Sequence, residues 1–192
     1  MSATSASLDV HPLDGDRWAD LEALFGPQGA FMGCWCAYWR VRHKDFEATH
    51  AANHKAVLHD RACSGSPPGL LGYLDGEPVA WVSVEPRDRF EAFEYARVYT
   101  AVDDVPVWTV TCFFVREDVR GRGLTTQLLR AVTDHVRAHG GRAVEGYPED
   151  PAHVSNSETP GYMGLVPAFE GAGFEEIAHL SNGRPVYRAT LD

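Results

Sequence analysis

Two stretches of this chain hold residues whose types and spacing can do chemistry. The first is Arg120-Gly121-Arg122-Gly123-Leu124-Thr125. It lies between the apolar run Val107–Val115 and a segment in which Leu124, Leu128, Val132 and Val136 recur every fourth residue, with Leu129 widening the face. A glycine-rich turn that opens a helix is suited to phosphate. The first helical turn leaves backbone N–H groups unpaired and carries partial positive charge. Glycines remove the side chains that would block an anion from those groups, and two arginines add charge and donors. The spacing is not that of a dinucleotide fingerprint, since the third glycine is absent, and no Gly-Lys-Ser/Thr follows as in a P-loop.

The second is Phe31-Met32-Gly33-Cys34-Trp35-Cys36-Ala37-Tyr38-Trp39-Arg40. Trp35, Tyr38 and Trp39 can stack on a substrate or face a cation; they can equally pack between helices and sheet. Cys34 and Cys36 have His43, His50, His54 and His59 nearby, but one intervening residue and no second pair is not a metal-ligand spacing. No metal is expected, and the four cysteines define no disulfide framework.

The elements that must position these groups follow from periodicity. Residues 16–25 and 45–62 read as helices, the first ended by Gly26-Pro27. Gly69–Leu74 and Val79–Val84 flank Asp75-Gly76, a strong hairpin signal. Residues 87–104 are charged and mixed, a loop or short helix. Val107–Val115 is apolar on both faces and rich in β-branched and aromatic residues, as a central strand requires. The helix of 124–139 stops at Gly140-Gly141. Ala143–Tyr147 is a strand, residues 148–164 a long loop, and Pro167 opens a short helix that Gly173 ends. Phe174–Leu180 and Pro185–Leu191 are the last strands.

Length predicts one domain over residues 1–192, with 1–7 frayed. No apolar run is long enough to cross a bilayer, and no basic-then-apolar leader opens the chain, so a cytoplasmic protein without membrane contact is expected. A net charge of −10 argues against a nucleic-acid surface and modestly favours cationic substrates.

Arg120–Thr125 resembles the Arg/Gln-x-x-Gly-x-Gly/Ala signature of Gcn5-related N-acetyltransferases, with Thr125 in the last place instead of Gly or Ala. Val107–Val115 sits where that family has its fourth strand. Ala168-Phe169-Glu170-Gly171-Ala172-Gly173-Phe174 is similar to its late helix and Gly-Phe element. The resemblance runs from about residue 69 to the end and, more loosely, over the N-terminal helices. It implies an α+β, three-layer fold: a mixed, mostly antiparallel sheet of six to seven strands, flanked by helices and splayed between strands four and five. Acetyl-CoA would enter that gap as co-substrate, its pantetheine pairing with backbone near Phe113 and Val115 and its diphosphate lying on Arg120, Gly121, Arg122, Gly123, Leu124 and Thr125. Phe169 falls where many members place a tyrosine that protonates the leaving thiolate, and phenylalanine has no proton to give. Tyr147, Tyr162 or water would then act, or no acid is needed. Glu85 and Glu145 are the candidate bases through water, unless each is only a solvated or ion-paired carboxylate. Trp35, Tyr38 and Trp39 would wall the acceptor. The resemblance implies acetyl transfer to a primary amine of a small molecule by direct attack, in a monomer or homodimer. The alternatives are acetylation of a protein lysine or N-terminus, or acyl-CoA binding without turnover.

Overall fold

In the computed structural model, residues 7–153 and 161–191 are described. The assumed fraying of the first residues and the middle of the 148–164 loop lie outside them, apart from Ser7. Among the described residues a single seven-stranded sheet runs in the order β1-β2-β3-β4-β5-β7-β6. Its strands are β1 (Asp9–Pro12), β2 (Gly69–Leu74), β3 (Glu77–Pro86), β4 (Trp108–Val115), β5 (Ala143–Gly146), β6 (Glu175–His179) and β7 (Pro185–Thr190). All neighbours are antiparallel except β4 and β5. This is the α+β, mostly antiparallel architecture that the family resemblance implies.

The helices are α1 (Trp18–Phe25), α2 (His43–Ala48), α3 (Ala51–Ala62), α4 (Ala92–Tyr95), α5 (Leu124–Ala138) and α6 (Val166–Gly171). Helix α5 lays its fourfold repeat on one sheet face: Leu124, Leu128, Leu129, Val132 and Val136 are buried against Ala80, Val82, Val84 and Val110. Each such side chain contributes about 1.5–3 kcal/mol of transfer free energy. Helices α1 and α3 cover the other face through Leu21, Leu24, Phe25 and Leu58, packed on Leu71 and Trp81.

The structure differs from the sequence reading in two places. Residues 45–62 form two helices, because Thr49 is extended (φ −116°, ψ 170°). Strand β1 was not foreseen: it is four residues long and pairs with β2 from Asp9↔Tyr73 to Pro12↔Leu70. Residues 87–104, read as a loop or short helix, carry the short α4 and two single helical turns, at Arg87–Arg89 and Arg97–Tyr99. The Asp75-Gly76 turn has positive φ at both residues, 51° and 83°, as a tight hairpin demands.

One irregularity shapes the centre of the sheet. Val84 pairs with Val110 and Ser83 with Cys112, so Thr111 is the extra residue of a bulge in β4. The last β4–β5 pair is Val110↔Gly146. Bulges bend and twist a strand, and here the two parallel strands part where the bulge begins.

Candidate active site

Beyond Val110 the separation of β4 and β5 opens a cleft of about 890 Å³. Its walls include Phe113, Phe114 and Val115 of β4; Arg120, Gly121 and Gly123 of the turn; Leu124, Thr125 and Thr126 of α5; and Gly161, Tyr162 and Gly164 from the far side. Ala30 and Phe31 border it from the N-terminal segment.

The turn at the mouth of α5 is built by its glycines. Gly121 and Gly123 have φ of +76° and +74°, the left-handed region that other residues enter only at a cost. A Cβ at either position would meet nothing within 4 Å. The glycines therefore serve backbone shape and access, not close packing. No side chain caps α5, and its first backbone bond runs from Gln127 N–H to the Gly123 carbonyl at 3.3 Å. The N–H groups of 124–126 thus face forward from the positive end of a 15-residue helix. Such an end is suited to an anion, and it opens into the cleft.

The β4 wall also presents main chain, and two of its groups are engaged. The Phe113 N–H donates to the Tyr162 carbonyl at 2.7 Å. The Arg120 Nε donates to the Val115 carbonyl at 2.9 Å, so the first arginine of the turn braces it against the strand. Arg122 points elsewhere: its guanidinium donates to the Asp118 carbonyl at 3.3 Å and does not line the cleft.

A parted pair of parallel strands above an uncapped, glycine-formed helix mouth is also where a family model matches: that of the acetyltransferase (GNAT) family fits residues 32–153. The chain belongs to the acetyltransferase (GNAT) family. Among solved structures it is similar to yncA, a putative acetyltransferase from Salmonella typhimurium with its cofactor acetyl-CoA (16% identity, TM-score 0.55, 97% of this chain and 95% of that one). It is similar to the Drosophila melanogaster polyamine N-acetyltransferase that forms N-acetylagmatine (16%, 0.57, 96% and 100%). It is also similar to the aminoglycoside acetyltransferase AAC(6')-Ib in complex with coenzyme A and kanamycin (15%, 0.53, 96% and 95%). At these identities the likeness speaks to the fold. No curated protein matches the chain.

Of the residues singled out from sequence, this GNAT fold gathers Phe113, Val115, Arg120, Gly121, Gly123, Leu124 and Thr125 on one cleft. Phe169 lies beneath it, fully buried against Phe113 and Phe174. A Cβ on Gly146 or Gly164 would come within 2.4 or 2.7 Å of its ring, so the backbones of β5 and the 161–164 segment rest directly on Phe169.

The ionisable candidates are engaged by arginines. Glu85 is 1% exposed, and its oxygens accept from Arg40 Nε at 3.0 Å and Arg61 at 3.3 Å. Glu145 is buried against Arg188, which donates to it from Nε at 2.8 Å and also holds Asp103. The Tyr147 hydroxyl accepts from Arg87, and burial pushes its phenol pKa up. Burial raises the Tyr162 phenol likewise, and Tyr162 stands on the cleft wall. Tyr162, one of the alternative acids, lies on the cleft wall; Thr126 and Gly164 were not anticipated as site residues, and the glycines at 161 and 164 were the available signal.

The three aromatics are divided. Trp35 is 6% exposed in the core between α1 and α3, stacked on Trp18 at 5.9 Å with Lys55 5.1 Å over its ring. Tyr38 and Trp39 line a second cavity instead. Among the described residues no cluster of His, Cys, Asp or Glu could hold a metal ion, and no helix is long and apolar enough to cross a membrane.

Proposed function

We propose that this chain, acting as one acetyltransferase domain, transfers the acetyl group of acetyl-CoA to a primary amine of a small molecule by direct attack in a ternary complex. The observation that carries the proposal is the uncapped α5 mouth with its two left-handed glycines, opening into the β4–β5 cleft. That end can hold a diphosphate through main-chain N–H groups. Phe113 and Val115 offer backbone to the pantetheine arm. Pairing at Phe113 requires the Tyr162 carbonyl to yield its place. A β4 N–H in the gap would polarise the thioester carbonyl as charge develops on it. Tyr162, half-buried on the cleft wall and kept protonated by burial, is our choice of donor to the departing thiolate; the proton shed by the attacking amine passes to water, which restores the phenol. We assign no proton transfer to Glu85, Glu145 or Tyr147, since guanidinium groups already engage them.

Supporting a small acceptor, the similar structures include an enzyme that forms N-acetylagmatine and an aminoglycoside acetyltransferase in complex with kanamycin. The test is truncation of the co-substrate. Calorimetry should give S-acetylpantetheine, which lacks the diphosphate, an affinity about a hundredfold or more below that of acetyl-CoA, as loss of two or more hydrogen bonds to a charged group implies. Amine-dependent release of free thiol from acetyl-CoA should accompany binding. Equal affinities for the two thioesters would remove the helix mouth from the site; binding without thiol release across a broad amine panel would leave a binder, not an enzyme.

A further inference from the structure

A second cavity of about 450 Å³ meets the cleft at Tyr162. Its walls are mostly rings: Tyr38, Trp39, His43, Tyr95, Tyr99 and Tyr162. Tyr162 is common to this cavity and to the co-substrate cleft, so an occupant of one abuts an occupant of the other.

The rings are set by packing from below. Trp39 stacks on Phe93 with centroids 4.8 Å apart and meets Tyr99 edge-on at 4.8 Å. Tyr38 meets Trp39 edge-on at 5.2 Å and His43 at 4.3 Å. Trp39 is 4% exposed, yet its indole N–H has no partner among the described residues. A buried donor left unpaired is costly unless something completes it.

The charge of the walls narrows the ligand. No carboxylate is among the lining residues. Glu91, on the neighbouring segment, is held by Arg42 at 2.8 Å, and Glu149 by Arg184 at 3.1 Å. The one permanently charged lining group is Arg97, exposed, whose guanidinium makes no ion pair or hydrogen bond with any other described residue. A polycation would therefore meet a like charge and find no counter-charge in the wall, despite the acidity of the chain as a whole. A flat ring would meet faces and edges of the right kind, and an anionic substituent would meet Arg97.

We propose that this cavity is the acceptor subsite and that it selects an aromatic amine carrying a carboxylate: the ring among Tyr38, Trp39, Tyr95 and Tyr99, the carboxylate on Arg97. The proposal rests on the acetyl-transfer reading for its role, but not for its test. L-Phenylalanine, phenethylamine and agmatine are titrated calorimetrically into the chain, with and without coenzyme A. Phenylalanine should bind about tenfold or more tighter than agmatine, one charged contact and one stacked ring being worth at least that. Arg97→Gln should collapse the preference of phenylalanine over phenethylamine to near one. Tyr95→Ala, at a residue 52% exposed and so safe for folding, should weaken both aromatic ligands. Agmatine binding as tightly as phenylalanine, or no binding of either aromatic ligand, overturns the proposal, as does an unchanged preference in Arg97→Gln. Failure of coenzyme A itself to bind would instead sink the acetyl-transfer reading, leaving the ring-binding measurement standing by itself.

Discussion

The turn at 120–125 and the segment at 29–40 both border the cleft, and they are made in opposite ways. In the turn, glycines take the left-handed conformations and main chain does the work. In the segment, Ala30, Met32, Trp35 and Cys36 occupy the left-handed region as well, at φ between 43° and 67°, though none is glycine. Each such residue costs about 1–2 kcal/mol. The segment holds that shape because it is pinned from outside. Arg40, 2% exposed, donates to the carbonyls of Cys36 and Pro68 at 2.7 Å each, to Ser83 Oγ at 3.0 Å and to Glu85. His54 reaches the Gly33 carbonyl at 3.0 Å. A backbone-coded site carries its geometry in its own residues. A side-chain-coded site borrows it from partners far along the chain.

The largest expected effect tests the borrowed geometry. Arg40→Ala leaves Glu85 buried beside Arg61 alone and releases two carbonyls, and should cost about 3–5 kcal/mol in urea unfolding. Acetyl-CoA affinity of the folded fraction should change little, because Arg40 does not line the cleft. A loss under about 1 kcal/mol would mean the 29–40 segment holds itself and the contrast is false.

Gly123→Val probes the other side. It should weaken acetyl-CoA binding about a hundredfold, by intruding on several hydrogen bonds worth about 1.5–3 kcal/mol each. Stability should fall by about 1–2 kcal/mol, the cost of a branched residue at φ +74°. Helix propensity alone, which is all the sequence offers, implies a smaller loss. Calorimetry paired with thermal melts separates the two effects, and unaltered binding would end the cradle assignment.

The far end of α5 gives the smallest effect and a control. Burial, with His139 beside it, holds the His135 imidazole down at about 4. An unfolded histidine takes its proton near 6.5, so the unfolded chain binds more protons between those values. Stability should be full above about pH 6.5 and decline as pH falls toward about 4. His135→Gln should flatten that decline without altering acetyl-CoA affinity. Identical slopes in the two proteins would show that His135 is not the group responsible.

What was legible follows the same division. The β2–β3 hairpin was announced by Asp75-Gly76, α5 by its fourfold repeat and the turn by its glycines, because each is encoded by neighbours in sequence. Strand β1 was silent: four residues ending in proline become a strand only by pairing with β2 and packing Leu8 over Gly72, where a Cβ would meet that side chain at 2.5 Å. The partners of the ionisable candidates were also silent. Glu85 meets Arg40 across 45 residues and Tyr147 meets Arg87 across 60, distances that no local pattern spans. Nor can an aperiodic aromatic run reveal that Trp35 turns to the core while Tyr38 and Trp39 turn to a cavity.

The bond from the Phe113 N–H to the Tyr162 carbonyl has a consequence for amide exchange. Inside the gap the chain already supplies the acceptor that a pantetheine amide would supply. Trading one for the other leaves the Phe113 proton protected throughout. Co-substrate should therefore slow deuterium uptake strongly at residues 121–126 and scarcely at all at Phe113, and the free energy of binding should reside at the helix mouth, with the strand contributing alignment.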